Sequence, residues 1–455
     1  MTPPAFGTFF LPGPTEVHPE VLAGMLRPMI PHRGAAFEAL FARCAAGLQS
    51  VFCTTRPVYI ASSSATGLME GAVRAAPPGA ILAIVNGAFS ERFARVATAC
   101  GRETEVLAGM LRPMIPHRGA AFEALFARCA AGLQSVFCTT RPVYIASSSA
   151  TGLMEGAVRA APPGAILAIV NGAFSERFAR IATACGRETE VLPVEWGATV
   201  DATLLRARLA ARRFAAVTVV HSESSTGALT DVRAVSALAQ AHGAACLIDS
   251  VTGVAGTPVE TDAWQLDFVF TGSQKALALP PGLAFGVASE AFLAHAAEAP
   301  GRGVYFDLLE FESYARKQQT PNTPALSLLY ALDAQLPRLA AEGIEGRWAR
   351  HAAMASATHA WVAALAARTG RPFGILAAPG ERSHTVSAIT VPDDVTANEI
   401  VQAVAKRGFV VGEGYGPLKG RTFRIGHMGD HTVATLGNCL TACDDAIDDV
   451  LRRQS

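Results

Sequence analysis

Residues 21–105 and 106–190 are one 85-residue segment written twice. The copies match at 84 of 85 positions, and the single difference is Val96 against Ile181. Solenoid repeats run about 20–50 residues and diverge in sequence, so a stacked array of such units is excluded. The tripeptide Glu-Val-Leu stands at 20–22, 105–107 and 190–192, the kind of shared stretch at which unequal recombination slips. The pattern reads as a recent tandem duplication or an artefact of sequence assembly. One copy is surplus either way, and removing it from 455 residues leaves 370. A chain of that size carries a soft expectation of two domains.

Composition narrows the function classes. Half the residues are hydrophobic and the formal net charge is zero. Each copy carries eight Arg and five Glu, so the single-copy chain sits near −3. Nothing there suggests nucleic acid or a charged membrane surface. No apolar run reaches the roughly 18 residues of a membrane helix. The first fourteen residues lack a basic start and an apolar centre, so no export signal is visible. Of nine cysteines, Cys44/Cys129, Cys53/Cys138 and Cys100/Cys185 are duplicated pairs, and Cys246, Cys439 and Cys443 are unique. They show no framework spacing, which fits a reducing cytoplasm. Cys439 and Cys443, one helical turn apart, read as core packing rather than as a metal or redox pair.

Lysine is the sharper clue. The chain has 34 arginines but only Lys275, Lys317, Lys406 and Lys419. An amine can lose its proton and form an imine, whereas a guanidinium stays protonated. A lysine retained against such a bias is a candidate for that chemistry.

Short apolar strands alternate with helices along the chain. In the second copy 142–146 and 165–170 read as strands, and 151–161 and 175–185 as helices. Downstream, 215–220, 245–249, 267–271 and 283–288 read as strands and 232–242 as a helix. Continuous apolar strands of this kind predict an α/β domain with a mainly parallel sheet covered on both faces. After about residue 301 the texture changes. Residues 321–324 form a Pro-rich loop, 325–336 a helix stopped or kinked at Pro337, and 344–369 a long helix. A strand is read at 387–391, then a helix with a Thr396/Glu399 capping box ending at Gly408. Strands follow at 409–411 and 422–425. The expected organisation is an N-terminal segment 1–20, the duplicated insertion 21–105, a large domain 106–300 and a small α+β domain 301–455.

Ligands of such sheets sit beyond the C-terminal ends of strands. Several strand ends carry unusual residues. The small polar turn 147–152 opens a helix, where backbone N–H groups and the helix dipole suit a phosphate. HSESSTG at 221–227 follows another strand. Asp249 closes an apolar strand, where a carboxylate needs a cationic partner. Lys275 follows the next strand, 26 residues on. An acid at one strand end and a scarce lysine at the next describe a pyridoxal phosphate site. Lys275 would hold the cofactor's aldehyde, Asp249 its ring nitrogen, the Ser149 turn its phosphate with Ser273 nearby, and Phe174 its ring face.

With these residues in place, the chain resembles the class V aminotransferases, in the alanine–glyoxylate and serine–pyruvate branch. The segments that carry the resemblance are FLPGP at 10–14, 147–155, 172–177, 221–227, DSVTG at 249–253, TGSQKA at 271–276 and RIGHMG at 424–429. They span nearly the whole single-copy chain in order. The resemblance implies the type I fold of pyridoxal-phosphate enzymes, with a seven-stranded-type large sheet. It implies Lys275 as the Schiff-base and proton-shuttle lysine and Asp249 as partner of the pyridinium, with Phe174 stacked. It implies Ser149, Ala150 and Thr151 with Gln274 around the phosphate, and Ser225 and Val251 against the ring. Arg424 would clamp the substrate carboxylate, a task suited to its fork. Thr323 would reach the phosphate of a partner subunit, so a homodimer is implied. The chain departs from the family at Phe174, where some members carry Trp, and in the duplication.

The reaction implied is transamination between a small amino acid of alanine or serine type and a 2-oxo acid of glyoxylate or pyruvate type. A lyase or desulfurase on the same fold is the alternative. A desulfurase needs a mobile cysteine near the substrate, and Cys439 and Cys443 read as helical. A third reading is an inactive duplicated derivative. The second copy runs directly into 191 and the site segments, so it is expected to fill the native place. The first copy would otherwise supply Ser64, Ala65, Thr66 and Phe89. His32/His117 and Arg33/Arg118 face either substrate or solvent.

Overall fold

The protein is described by a computed structural model that covers residues 35–60, 65–83, 88–100, 104–106, 116, 118–299 and 301–454. His32, Arg33, Ser64, His117 and the 10–14 segment lie outside the described residues. The chain divides into two compact units, Met1–Gly79 with Arg95–Glu103, and Ala80–Ala94 with Thr104–Ser455. The first unit contains the helices Ala35–Val51 and Ala65–Ala75. None of the side chains of Ala35–Val51 is buried.

The second unit holds a seven-stranded sheet. Its strands are β1 (Tyr144–Ala146), β2 (Ile166–Val170), β3 (Thr189–Pro193), β4 (Ala216–Val220), β5 (Ala245–Asp249), β6 (Phe268–Gly272) and β7 (Ala284–Ala288). They lie in the order β1-β7-β6-β5-β4-β2-β3. Only β7 runs antiparallel to its neighbours. The four pairs from β6 to β3 are parallel. The mainly parallel sheet expected from the apolar runs is therefore present, with one antiparallel strand added. Strands β1 and β2 come from the second copy of the repeat, and β3 begins in it at Thr189 and Glu190 and ends beyond it.

The strands are apolar without interruption because both faces are covered. The two-residue period splits their side chains between two cores. Ile145, Leu167, Val217, Ile248, Val269 and Phe285 enter one core, and Tyr144, Ile166, Ala216, Leu247, Phe268 and Phe270 the other. Helices α1 (Ala120–Phe137), α2 (Ala150–Ala160), α3 (Ala173–Ala184), α4 (Ala202–Ala211) and α5 (Val232–Ala241) connect and cover the strands. Asp201 and Asp231 cap α4 and α5 by accepting first-turn N–H bonds, which fixes where those helices begin.

Helices α6 (Glu290–Glu298), α7 (Leu308–Arg316), α8 (Leu326–Glu342) and α9 (Ile344–Thr369) lead to a second sheet. Its strands β8 (Gly374–Ile375), β9 (Val386–Thr390), β10 (Gly412–Glu413) and β11 (Thr422–Gly426) lie in the antiparallel order β8-β9-β11-β10. Helices α9, α10 (Ala397–Ala405) and α11 (Val433–Gln454) share its apolar core. No described helix is long and apolar enough to cross a membrane.

Three local expectations fail here. Helix α8 runs through Pro337 to Glu342 instead of stopping. Leu329, Leu332, Leu336 and Leu339 are buried along it, and that burial offsets the interior proline. Thr396 stands at the N-cap of α10 without a side-chain cap. The Ala397 N–H is taken by the Gly420 carbonyl at 2.9 Å, so a neighbouring loop supplies an acceptor in the first turn. The strand expected at 409–411 lies instead at Gly412–Glu413, where the backbone pairs with β11.

Phe285 is fully buried at the centre of the larger core. Phe285→Ala should cost roughly 3–5 kcal/mol, read as a lower denaturation midpoint with an unchanged slope.

Candidate active site

The C-terminal ends of β1, β2, β4, β5 and β6 meet at one edge of the large sheet. There they surround a cavity of about 290 Å³. Its lining includes Ser149, Ala150 and Thr151 from the turn into α2, Phe174 and Arg177 from α3, and Asp249, Val251, Gln274 and Lys275. A larger cleft of about 920 Å³ lies at the opposite edge, among residues that precede the strands, such as Gly164, Ala215 and Ala244. Sheets of this class bind ligands at the C-terminal edge, so chemistry is assigned to the smaller cavity.

Asp249 is buried where β5 ends, and its carboxylate accepts the Val251 N–H at 2.9 Å. Burial raises its pKa to about 7, and the nearby Glu223 pushes the same way. The Val251 hydrogen bond, Lys275 and Arg177 oppose the rise. The amine of Lys275 is held below its ordinary value by burial and by the charge of Arg424, against the pull of Asp249. An amine so placed spends more of its time unprotonated and nucleophilic.

Helix α2 opens at Ser149, whose side chain makes no capping bond. The first-turn N–H groups thus stand at the cavity with the positive end of the helix dipole behind them. Gly152 is needed in that turn because a Cβ there would run into the Phe306 ring.

The wall bearing Phe174 is organised by Glu223, which is fully buried after β4. Its carboxylate accepts the N–H groups of Phe174 (3.1 Å), Ser175 (2.9 Å) and Ser225 (3.1 Å), and the Ser225 hydroxyl at 2.6 Å. It thus caps α3 as an anion at the helix N-terminus. Gly172 permits this approach, since a Cβ there would collide with the Glu223 side chain and lie 2.6 Å from the Ser225 hydroxyl. Phe174 is flanked by Tyr415, with ring centres 5.8 Å apart, and by the Arg177 guanidinium at 4.9 Å.

The smaller sheet brings Arg424 to the same place. Its guanidinium donates to the Ser224 carbonyl at 2.9 Å and to the Glu413 carbonyl at 2.8 Å. Around it, the Thr385 hydroxyl donates to the Thr252 carbonyl at 2.8 Å, and the Ser222 and Ser383 hydroxyls lie 2.8 Å apart. Arg347, 2% exposed, donates to the Ala276 carbonyl at 2.6 Å and pairs with Asp430 at 3.0 Å. It thereby ties the backbone beside Lys275 to the loop that follows β11. His351 and His427 in this region are held near pKa 4 and 3, chiefly by burial, so both imidazoles are neutral at ordinary pH.

Eight of the residues singled out from the sequence line the cavity: Ser149, Ala150, Thr151, Phe174, Asp249, Val251, Gln274 and Lys275. Ser225 lies behind the wall, and Arg424 reaches it through Ser224. Thr323 is exposed and outside the lining. Ser273, expected near the phosphate turn, points away and donates to the Pro280 carbonyl at 2.7 Å. Arg118 binds the Thr320 carbonyl at 2.9 Å and stacks over Tyr314, so its partners are structural. The reading from sequence passed over Glu223 and Arg177. The helical spacing of Arg177 to Phe174 was a usable signal, whereas the α3 partners of Glu223 are 48 and 49 residues away.

The Asp249 carboxyl has a testable pH signature in the ligand-free protein. With its folded pKa raised to about 7, the folded state holds a proton that the unfolded state loses near pH 4. Its contribution to stability is therefore present below about pH 4 and is lost as pH rises through 7. Asp249→Asn should flatten that part of the stability–pH curve, measured by denaturant midpoints between pH 4 and 8.

Comparison with known proteins agrees with this geometry. The family described as aminotransferase class-V matches residues 88–417. An aminotransferase of Methanocaldococcus jannaschii is 35% identical over 331 residues, covering 71% of this chain and 84% of the relative. A serine–glyoxylate aminotransferase of Methylorubrum extorquens is 32% identical over 339 residues, covering 71% and 83%. The crystal structure of an alanine–glyoxylate aminotransferase from Nostoc sp. superposes with a TM-score of 0.72 at 23% identity, covering 86% of this chain and 98% of that one. This chain belongs to the class V aminotransferases, a family whose fold is built around pyridoxal phosphate.

Proposed function

We propose that the chain transfers an amino group between a small amino acid of serine or alanine type and a small 2-oxo acid such as glyoxylate or pyruvate, using pyridoxal phosphate. The observation that carries this reading is the convergence of Lys275, Asp249 and the uncapped start of α2 on one cavity. The glyoxylate-using relatives support the substrate class.

The donor set fits the cofactor. The amides of Ala150 and Thr151 offer N–H donors to a phosphate, with Ser149 and Gln274 beside them. Asp249 offers a carboxyl that ionises against a protonated ring nitrogen, and Phe174 offers a flat apolar face. Val251 lines the cavity where the ring would sit, and Ser225 supports the wall from behind through Glu223. When bound, pyridoxal phosphate supplies an electron sink for the α-carbon of the amino acid. The remaining work belongs to the chain. Lys275 would hold the cofactor and would carry a proton at the substrate α-carbon, a task helped by burial and Arg424, which lower the pKa of its amine. Asp249, buried at the end of β5, would keep a proton on the ring nitrogen. Arg424, anchored by two carbonyls, turns its remaining donors to the substrate carboxylate.

A desulfurase would need a cysteine at this site, and none of the cavity-lining residues is a cysteine. We also assign the chain to a cytoplasmic homodimer in which the exposed Thr323 serves the partner's phosphate site. Residues 21–105 are assigned as an insertion ahead of a large domain spanning 106–300 and a small domain spanning 301–455.

Borohydride reduction of the cofactor-loaded protein should leave a stable label on the peptide carrying Lys275. Lys275→Ala should lose both the label and amino transfer, and a label on another lysine would overturn the reading. Glu223→Gln turns an N–H donor toward the donors of α3. It should weaken pyridoxal phosphate binding about tenfold, measured by titration of the cofactor-free protein, with Glu223→Asp intermediate.

A further inference from the structure

Among the described residues the two copies form the same helices and strand pair, and several large apolar side chains that are buried in the second copy are exposed in the first. The helix Ala35–Val51 corresponds to α1, Ala65–Ala75 to α2 and Ala88–Ala99 to α3. The first copy also pairs Ile81 with Thr104 in parallel, the register of Ile166 with Thr189. Yet Phe41 is 44% exposed where Phe126 is 2%, and Tyr59 is 83% exposed where Tyr144 is 0%. Val51 and Phe52 are likewise exposed where Val136 and Phe137 are buried.

We infer that the part of the chain after residue 190 is a docking slot for this 85-residue segment, and that the slot accepts either copy. The protein thus has a second arrangement in which residues 21–105 supply the first three strands and helices of the sheet.

Every slot-side group that recognises the second copy lies outside the repeat, so it meets the same residue types from the first. Leu336 on α8 receives Gly132, where an added Cβ would lie 2.7 Å away, and the first copy offers Gly47. Asp333 pairs with Arg128 at 2.9 Å, and Arg43 is its equivalent. Glu312 accepts the Tyr144 hydroxyl at 2.8 Å, and Tyr59 is its equivalent. Asp262 accepts the Thr139 hydroxyl at 2.6 Å and the Thr140 N–H at 2.7 Å, and Thr54 and Thr55 stand ready.

The joins permit the exchange as well. Val106 and Leu107 follow the first copy as Val191 and Leu192 follow the second, so β3 can be completed through its fourth residue by either. The one internal difference sets a modest preference. Ile181 packs partly buried against the core, and Val96 lacks one methylene group there. Ser64, Ala65, Thr66 and Phe89 would then take the places of Ser149, Ala150, Thr151 and Phe174, so both arrangements carry the same cavity wall.

The test uses the full chain with Phe41→Asp, Phe126→Asp and both together. A charge buried at the docked position is not tolerated. The exchange predicts that each single variant keeps a cooperative unfolding transition and at least about a third of the amino-transfer rate, while the double variant falls more than about a hundredfold, a gross non-additivity. Limited trypsin digestion reads the arrangement independently of activity. The peptides 96–102 and 181–187 differ by one methylene, so mass spectrometry reports which copy is protected. In Phe126→Asp, protection should move to the Val96 peptide. Loss of folding in Phe126→Asp equal to that of the double variant overturns the inference. So does a folded Phe126→Asp that still protects the Ile181 peptide. A folded Phe126→Asp with Val96 protected but no amino transfer would count against the functional reading alone.

Discussion

A carboxyl group at the end of an apolar strand in mid-sheet is the constraint from which the rest of this architecture follows. Asp249 is flanked by β4 and β6 and is buried at the bottom of a cavity. Its ionisation is disfavoured unless a cation arrives. Burial and the charge of Arg424 lower the pKa of Lys275, and Asp249 opposes them. The site is therefore a set of charges that the fold keeps in tension rather than satisfied. That arrangement suits a cationic ring and a reactive amine.

The supporting shell consists of groups that hold backbone rather than touch ligand. Glu223 gathers the start of α3 and Ser225 onto one carboxylate, so the aromatic wall and the loop after β4 move as one piece. Arg347 does the same for the Lys275 backbone and the loop beyond Arg424. Hydroxyl bonds from Thr385 and Ser383 dock the smaller sheet against the loops after β4 and β5. Arg424 and Lys275 come from elements far apart in sequence, and this network fixes how they stand to one another.

Much of the site was legible because parallel strands announce their C-terminal ends. Each apolar run stops at a polar or tiny residue, and those stops proved to share one edge. Asp249, Lys275, Phe174 and the Ser149 turn were found that way. Ser273 was misread because a residue two before Lys275 can face either the ligand or its own loop, and the Pro280 carbonyl claimed it. Glu223 carried no sequence signal, since an acid in a polar loop looks solvated until α3 is seen to end on it. Pro337 and Thr396 misled for a related reason. Propensity and capping rules describe isolated helices, and here buried leucines and the Gly420 carbonyl decided instead.

The duplicated segment separates the two levels of control within one chain. Both copies form the same three helices and the same parallel strand pair, so periodicity and short-range hydrogen bonding suffice to determine them. Burial follows from neither. Phe126 is covered and Phe41 is not, although the residues around each in sequence are the same. Local structure needs only contacts within about a turn or a strand pair. A core needs a complementary surface from distant residues, and among the described residues Phe126 has one and Phe41 does not.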